Sequence, residues 1–368
     1  MPRADGAVRI AALGDLMLTG EWDEVAAAQG EAAAFGALRA ALADDDLVFL
    51  NLETTVEAGG GHIAKEPRVI GSIGVIERSL AALGVGLVNL ANNHAFDGNL
   101  AGYEAVRAAL DAAGVPWFGA GRDAAEAARP CVVERDGVRL GWLGYVALDT
   151  HPSHVAGAGA CGANPLVAER AFADVERLRR QVDHVVVSLH WGVEFCHAPS
   201  PEQVSIARGL VDRGASLVLG HHAHVVQGVE RYRDGLIAYG LGNATTTDFA
   251  VAGHLAIRQT PRTRSSLLLR VTLDRAAVRD FALVPLRADG PRVVVGDPYA
   301  ARLVEKANRL VPTEPSAARW KARRFYEDVV LRTLWKLDPQ VVRSLRPRHA
   351  VRFASNLVSS LAGRGPAA

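Results

Sequence analysis

The sequence predicts an α/β fold built on a largely buried sheet, and three observations predict it. Short apolar runs rich in Val, Ile and Leu recur along the chain. Longer Ala/Arg/Glu segments of helical period separate them, the pattern of strands joined by helices. Nearly every apolar run ends in a residue that can bind a metal or move a proton, as at Asp15, Glu53, His94, His190 and His222. Ligands of open α/β sheets bind beyond the carboxyl ends of the strands, so one edge of the sheet is expected to carry the chemistry.

The first run, VRIAALGD, predicts a strand ending at Asp15, with a helix at about 23–43 behind it. DLVFLNLE is the second strand and delivers Asn51 and Glu53 to the same edge. A helix at about 77–84 leads into VGLVNLANN, which reaches Asn92, Asn93 and His94, and a further helix covers about 100–114. VRLGWLGYVAL is the next strand, and the small-residue stretch HPSHVAGAGACGANPL after it reads as a mobile loop near the site. Helices at about 165–181 and 201–214 precede the strands HVVVSLHWG and ASLVLGHHAH, and GLIAYGLGN closes the series. SSLLLRVTLD and RVVVGD, within residues 244–300, are expected to complete a second sheet. SLAALGVGLVNLANNH and GLVDRGASLVLGHHAH each run helix, Gly, strand, His-bearing loop, one design used twice.

Composition narrows the class. With 49% hydrophobic and 22% charged residues the 368-residue chain is a folded protein, and a net charge of +1 gives no reason to expect nucleic acid or a membrane surface as the main partner. Three distant cysteines, Cys131, Cys161 and Cys196, exclude a disulfide framework or a CxxC site. No stretch approaches the ~18 apolar residues of a membrane span and no secretory signal opens the chain, so the expectation is a cytoplasmic protein without a transmembrane segment. From Arg319 to Arg364 eleven Lys/Arg face three Asp/Glu, with Trp320, Phe325, Tyr326, Trp335 and Phe353 among them. The expected organisation is therefore a domain over residues 1–300 and a basic, aromatic-bearing helical extension over 301–368. That extension either packs its aromatic face on the domain or serves as a clamp for an anionic or peptidic substrate.

In GHHAHVVQGVE the residues two apart, His222 and His224, fall on one side of an extended strand end and can converge on one ion, with His221 turned away. SLHWGVEF adds His190 as a ligand and leaves Glu194 open between a ligand and a helix cap or ion-pair partner. NLANNHAFDG combines an amide candidate, Asn93, with His94 and Asp97, a carboxylate able to fix the imidazole tautomer and raise its pKa toward neutral. Asp15 joins the ligand candidates. Substrate contacts are expected of Lys65, His151, His154, Glu194, Asn243 and Trp191.

Taken in order, GD, NLE, NNHxxDxG, LHWGxE, GHHxH and LGN, over roughly residues 8–250, resemble the CapA, or poly-γ-glutamate capsule synthesis, branch of the calcineurin-like metallophosphatase superfamily. The resemblance implies a four-layer αββα sandwich with metal at the strand ends. It implies Asp15, Glu53, Asn93, His190, His222 and His224 as metal positions and His94 with Asp97 as the general acid/base pair. Two departures stand out: the superfamily's Asp-x-His is here Asp15-Leu16-Met17, and Glu53 stands nearest to its bridging Asp. A divalent ion (Ca²⁺, Mn²⁺, Mg²⁺, Zn²⁺ or iron) is the expected cofactor, with no organic one, and a peptide or amino-acid polymer the expected substrate.

The leading expectation is metal-dependent acid/base chemistry that inverts a Cα centre of a ribosomal precursor peptide, as epimerases found with lasso-type peptides do. His94 with Asp97 would serve one face and one of His190, His222 or His224 the other. The alternatives are hydrolysis of a phosphoester or of a poly-γ-glutamate-type amide, or a role in capsule polymer biosynthesis.

Overall fold

Parallel strands joined by helical crossovers leave their carboxyl ends on one edge, and two such sets are stacked here. The structure, a computed structural model, describes residues 6–19, 22, 24, 28, 30–59, 61–251, 254–257, 259–290, 292–311 and 316–327. In chain order the main elements are β1 (Val8–Leu16), α1 (Glu31–Ala41), β2 (Leu47–Leu52), α2 (Ile73–Leu83), β3 (Val85–Asn89), α3 (Asn99–Ala112), β4 (Trp117–Phe118), β5 (Cys131–Arg135), β6 (Val138–Val146), α4 (Ala168–Leu178), β7 (His184–His190), α5 (Pro201–Asp212), β8 (Ala215–His221), β9 (Val229–Tyr232), β10 (Gly235–Ala238), β11 (Asn243–Thr245), β12 (Ser265–Leu273), β13 (Val278–Asp289), β14 (Arg292–Val295), α6 (Pro298–Asn308) and α7 (Ala317–Arg324).

The first sheet has the order β14-β13-β12-β1-β2-β3-β4, with β11 also paired to β1, and the second runs β9-β10-β8-β7-β6-β5. Strands β1 to β4 are mutually parallel, as are β6, β7, β8 and β10. Side-chain alternation divides each strand between two cores. Ile10, Phe49, Leu87, Trp142, Val186, Leu217 and Leu219 meet between the sheets. Ala11, Leu50 and Val88 face outward onto α1, α2 and α3 through Leu38, Ile76 and Tyr103. Val187, Val218 and Tyr239 face α4 and α5 through Val175, Val204 and Leu210. The result is the four-layer αββα sandwich.

Two expectations change. The sequence places β12 and β14 in a second sheet, yet both extend the first: β12 runs antiparallel to β1, from Val8 opposite Leu273 to Ala12 opposite Leu269. That register places Leu267, Leu269, Val271 and Leu273 in the core between the sheets, burial that separate pairing would forgo. Within the stretch expected as a helix over 23–43, α1 covers Glu31–Ala41. At the start of the expected extension, α6 buries Ala300, Leu303, Val304 and Ala307. Residues 328–368, with Trp335 and Phe353, lie outside the described residues. No helix among the described residues is long and apolar enough to cross a membrane.

Candidate metal centre

Register brings the polar strand ends together. In the first sheet Asp15 lies opposite Asn51 and Asn243, and Asn51 opposite Asn89; in the second His190 lies opposite His221. Two glycines permit the close approach that closes the site. A Cβ at Gly14 would stand 1.9 Å from the Gly242 carbonyl oxygen, and one at Gly220 1.9 Å from that of Tyr239.

At the meeting point sits Glu53, fully buried, with neither carboxylate oxygen hydrogen-bonded among the described residues. Imidazoles surround it: His190 Nε2 at 3.5 Å, His94 Nε2 at 3.8 Å and His224 Nδ1 at 4.0 Å. His224 Nδ1 is also 3.6 Å from Asp15 Oδ2. Three overlapping groups present ligand atoms within 4.8 Å of one another: Glu53, His190 and His222; Asp15, Glu53 and His224; Glu194, His222 and His224. Asn93 Oδ1 reaches His190 Nε2 at 2.9 Å.

Burial, reinforced by the Asp15 charge, raises the Glu53 carboxyl well above the ordinary range. Burial lowers His190 well below its usual value, with the neighbouring histidines adding to the effect, and brings His222 to about 4. At Asp15 burial pushes upward, but the hydrogen bond and charge of His221 and the charge of His224 prevail and hold it low. A carboxyl without hydrogen bonds beside imidazoles that burial keeps neutral, those of His94 and His190, suits a cation: its charge would offset the desolvation and its coordination would use the lone pairs. The residues present therefore fit a divalent ion.

Beside this cluster His94 Nδ1 meets Asp97 Oδ2 at 2.5 Å, which leaves Nε2 toward Glu53. Asp97 also accepts from Val69 N–H at 3.0 Å and from Lys65 Nζ at 3.2 Å. The expected rise in the His94 pKa is overturned: burial lowers it, the Lys65 charge adds to that, and Asp97 does not compensate.

Asp15, Glu53, Asn93, His94, Asp97, His190, His222 and His224 thus converge, and Glu194 joins them through His222 and His224. His222 and His224 do come together, but not by alternation along a strand. β8 ends at His221, and His222 and His224 have φ of 79° and 53°, so a turn rather than extended backbone aims them. His221 is not turned away; its Nδ1 lies 3.2 Å from Asp15 Oδ1. Trp191, expected to meet substrate, is 2% exposed and donates to the Tyr239 carbonyl at 3.1 Å, beneath the site. The Lys65 ammonium is engaged, donating to the Asn93 carbonyl at 2.6 Å as well as to Asp97. Asn243 Oδ1 meets His224 Nδ1 at 2.8 Å and so orients a ligand candidate. His154 stacks on Phe96 at 5.3 Å, one residue from Asp97, while His151 is exposed on the same loop.

The sequence brings Asn51 to this edge but does not show its partners: its Nδ2 donates to Asp15 Oδ1 at 2.8 Å and lies 3.4 Å from His190 Nδ1. Its place two residues before Glu53 puts it at the same strand end, a signal the sequence does carry.

Residues 9–247 match the family described as bacterial capsule synthesis protein PGA_cap. The capsule biosynthesis protein CapA of Bacillus anthracis is 33% identical over 174 residues, 45% of this chain and 41% of that protein. The "probable polyglutamine synthesis accessory protein" of Mycobacterium tuberculosis (strain CDC 1551 / Oshkosh) is 31% identical over 260 residues, 67% of each chain. Among solved structures, Haemophilus influenzae NAD nucleotidase is similar at a TM-score of 0.46 and 11% identity, over 88% of this chain and 68% of that one. The chain thus spans well under half of the B. anthracis protein it matches.

Proposed function

The chain belongs to the bacterial capsule synthesis family PGA_cap, and from that premise we propose that it is a metal-dependent enzyme acting on the amide bonds of a polyglutamate-type amino-acid polymer. Glu53 is the observation that carries the reading: a buried carboxylate without hydrogen bonds among the described residues, ringed by His94, His190 and His224. Asp15, Glu53, Asn93, His190, His222 and His224 would hold the ion, with Glu194 as a further carboxylate. The share of imidazole in that set favours Zn²⁺ or iron over Mn²⁺, Mg²⁺ or Ca²⁺. When bound, the ion supplies Lewis acidity, polarising a carbonyl and lowering the pKa of water beside it.

The chain's own residues account for the protons. Asp97 holds His94 by Nδ1, so the neutral ring can take a proton at Nε2 from the attacking water and give it to the departing amine, as the water oxygen forms the C–O bond and the C–N bond breaks. The names of the relatives, capsule biosynthesis and polyglutamine synthesis, support the polymer as substrate class. Cα epimerisation, the leading expectation from the sequence, has the two histidine walls in its favour and no support from those names.

The test is metal analysis of the purified chain, then incubation of poly-γ-glutamate with metal-loaded protein in H₂¹⁸O and, separately, in D₂O. Shortened chains carrying ¹⁸O are the expected outcome. A gain of one mass unit in D₂O without cleavage would replace hydrolysis by epimerisation, and no change in either solvent would sink both.

A further inference from the structure

We infer that Glu327, in the C-terminal segment beyond the family match, is a positioning residue for the metal centre; the inference rests on the metal reading above. α7 continues through a wider helical turn at 325–327, which lies against the loop that follows β7. There Glu327, 1% exposed, accepts from the His197 backbone N–H at 2.7 Å and pairs with Arg323 at 2.6 Å and with Arg262 at 3.6 Å. Trp320 Nε1 donates to the Ala198 carbonyl at 3.3 Å. A buried carboxylate held by two guanidiniums and a backbone amide is a fixed point, because removing one partner leaves the others buried and unpaired.

From that point two separate routes reach the ligand candidates. In the first, His197 is pinned on both ring nitrogens, by the Val226 carbonyl at 2.7 Å and Arg262 Nε at 3.0 Å, while Phe195 N–H donates to the Ala223 carbonyl at 2.8 Å. These bonds fix the loop bearing Glu194 against the turn bearing His222 and His224. In the second, Arg262 precedes Thr263, whose carbonyl accepts from Asn243 Nδ2 at 3.0 Å, and Asn243 Oδ1 in turn meets His224 Nδ1 at 2.8 Å. Glu327 touches no ligand candidate, yet both routes end on one. Partners of this outer kind orient ligands, and their loss weakens metal affinity by ~10–100-fold.

Co²⁺ titration of the chelator-treated full chain, followed by visible absorption, tests this. Glu327→Ala should weaken Co²⁺ binding by ~10-fold or more and change the ligand-field spectrum, whereas Glu305→Ala, on the exposed face of α6, should alter neither. Wild-type affinity and spectrum in Glu327→Ala, even with a lowered melting temperature, would make the residue merely structural and overturn the inference. If that variant does not fold, Arg262→Met, which removes the guanidinium contacts to His197 and Glu327, is judged by the same two readouts. A wild-type chain that binds no Co²⁺ overturns the metal reading itself, an outcome distinct from equal binding by wild type and variant.

Discussion

The loops after β3 and β8 follow the same helix, strand, loop design on facing sheets, yet their polar groups are satisfied in opposite ways. After β3, Asn92 Oδ1 accepts from His94 N–H at 3.0 Å and Asn92 Nδ2 donates to the Leu52 carbonyl at 2.8 Å. His94, Asp97, Lys65 and Val69 close a network around the His94–Asp97 pair. After β8, His222 N–H donates to Asp15 at 3.0 Å, but its Nδ1 has no hydrogen-bond partner among the described residues, and Glu53 opposite it has none either. His222 and His224 also hold left-handed backbone, a conformation a non-glycine residue keeps only when its surroundings impose it. The difference separates two jobs. One loop is complete from the protein's own hydrogen bonds, and the other presents lone pairs suited to a cation.

Substitutions should break this contrast in different ways. The largest effect is expected of His222→Ala, which removes a member of two of the three ligand groups: bound metal and activity should both be lost with circular dichroism unchanged. Wild-type metal content in that variant would remove His222 from the ligand set. His94→Ala should retain its metal and lose ~10²–10⁴-fold in turnover, a split that elemental analysis and single-turnover rates can read.

Stability effects come next. Asp97→Asn leaves the network after β3 with mismatched donors and should cost ~1–3 kcal/mol in urea unfolding. Behind the β8 loop, burial and the Arg262 charge push the His197 pKa down to about 4, below the ~6.5 of an unfolded histidine. As pH falls the unfolded chain takes up the proton first. The stability His197 contributes is thus complete above about pH 6.5 and drains away toward pH 4, at up to ~1.4 kcal/mol per pH unit. The stability gap between wild type and His197→Gln should narrow from pH 7 to pH 5; a constant gap would remove the titration from the account. Smallest is Glu53→Gln. In metal-free protein it should leave the melting temperature unchanged or higher, since an unpaired buried carboxylate costs stability, while abolishing the rise that added metal gives the wild type.

What could be read in the sequence follows from locality. Asp15, Glu53, Asn93, His94, His190, His222 and His224 were legible because each closes an apolar run, and parallel strands carry such ends to one edge whatever the rest of the chain does. His94 and Asp97, three residues apart, share one turn, so their pairing was legible too. The sense of the His94 pKa was not: it depends on burial and on Lys65, twenty-nine residues away. Trp191 lies next to His190 in sequence but alternates to the opposite face of β7, and only the packing of Tyr239 beneath the site shows where that face leads.

By itself, then, the sequence determined the succession of strands and helices, the chemistry of the strand ends and the family, all properties of short segments and their order. Tertiary structure alone decided that β12 and β14 extend the first sheet, that His221 faces Asp15, that Lys65 is engaged and that Glu327 reaches His197 across 130 residues of chain. The physical reason is that hydrogen bonds and ion pairs require contact, and between residues so far apart contact is set by how the sheets stack and which loop lies on which.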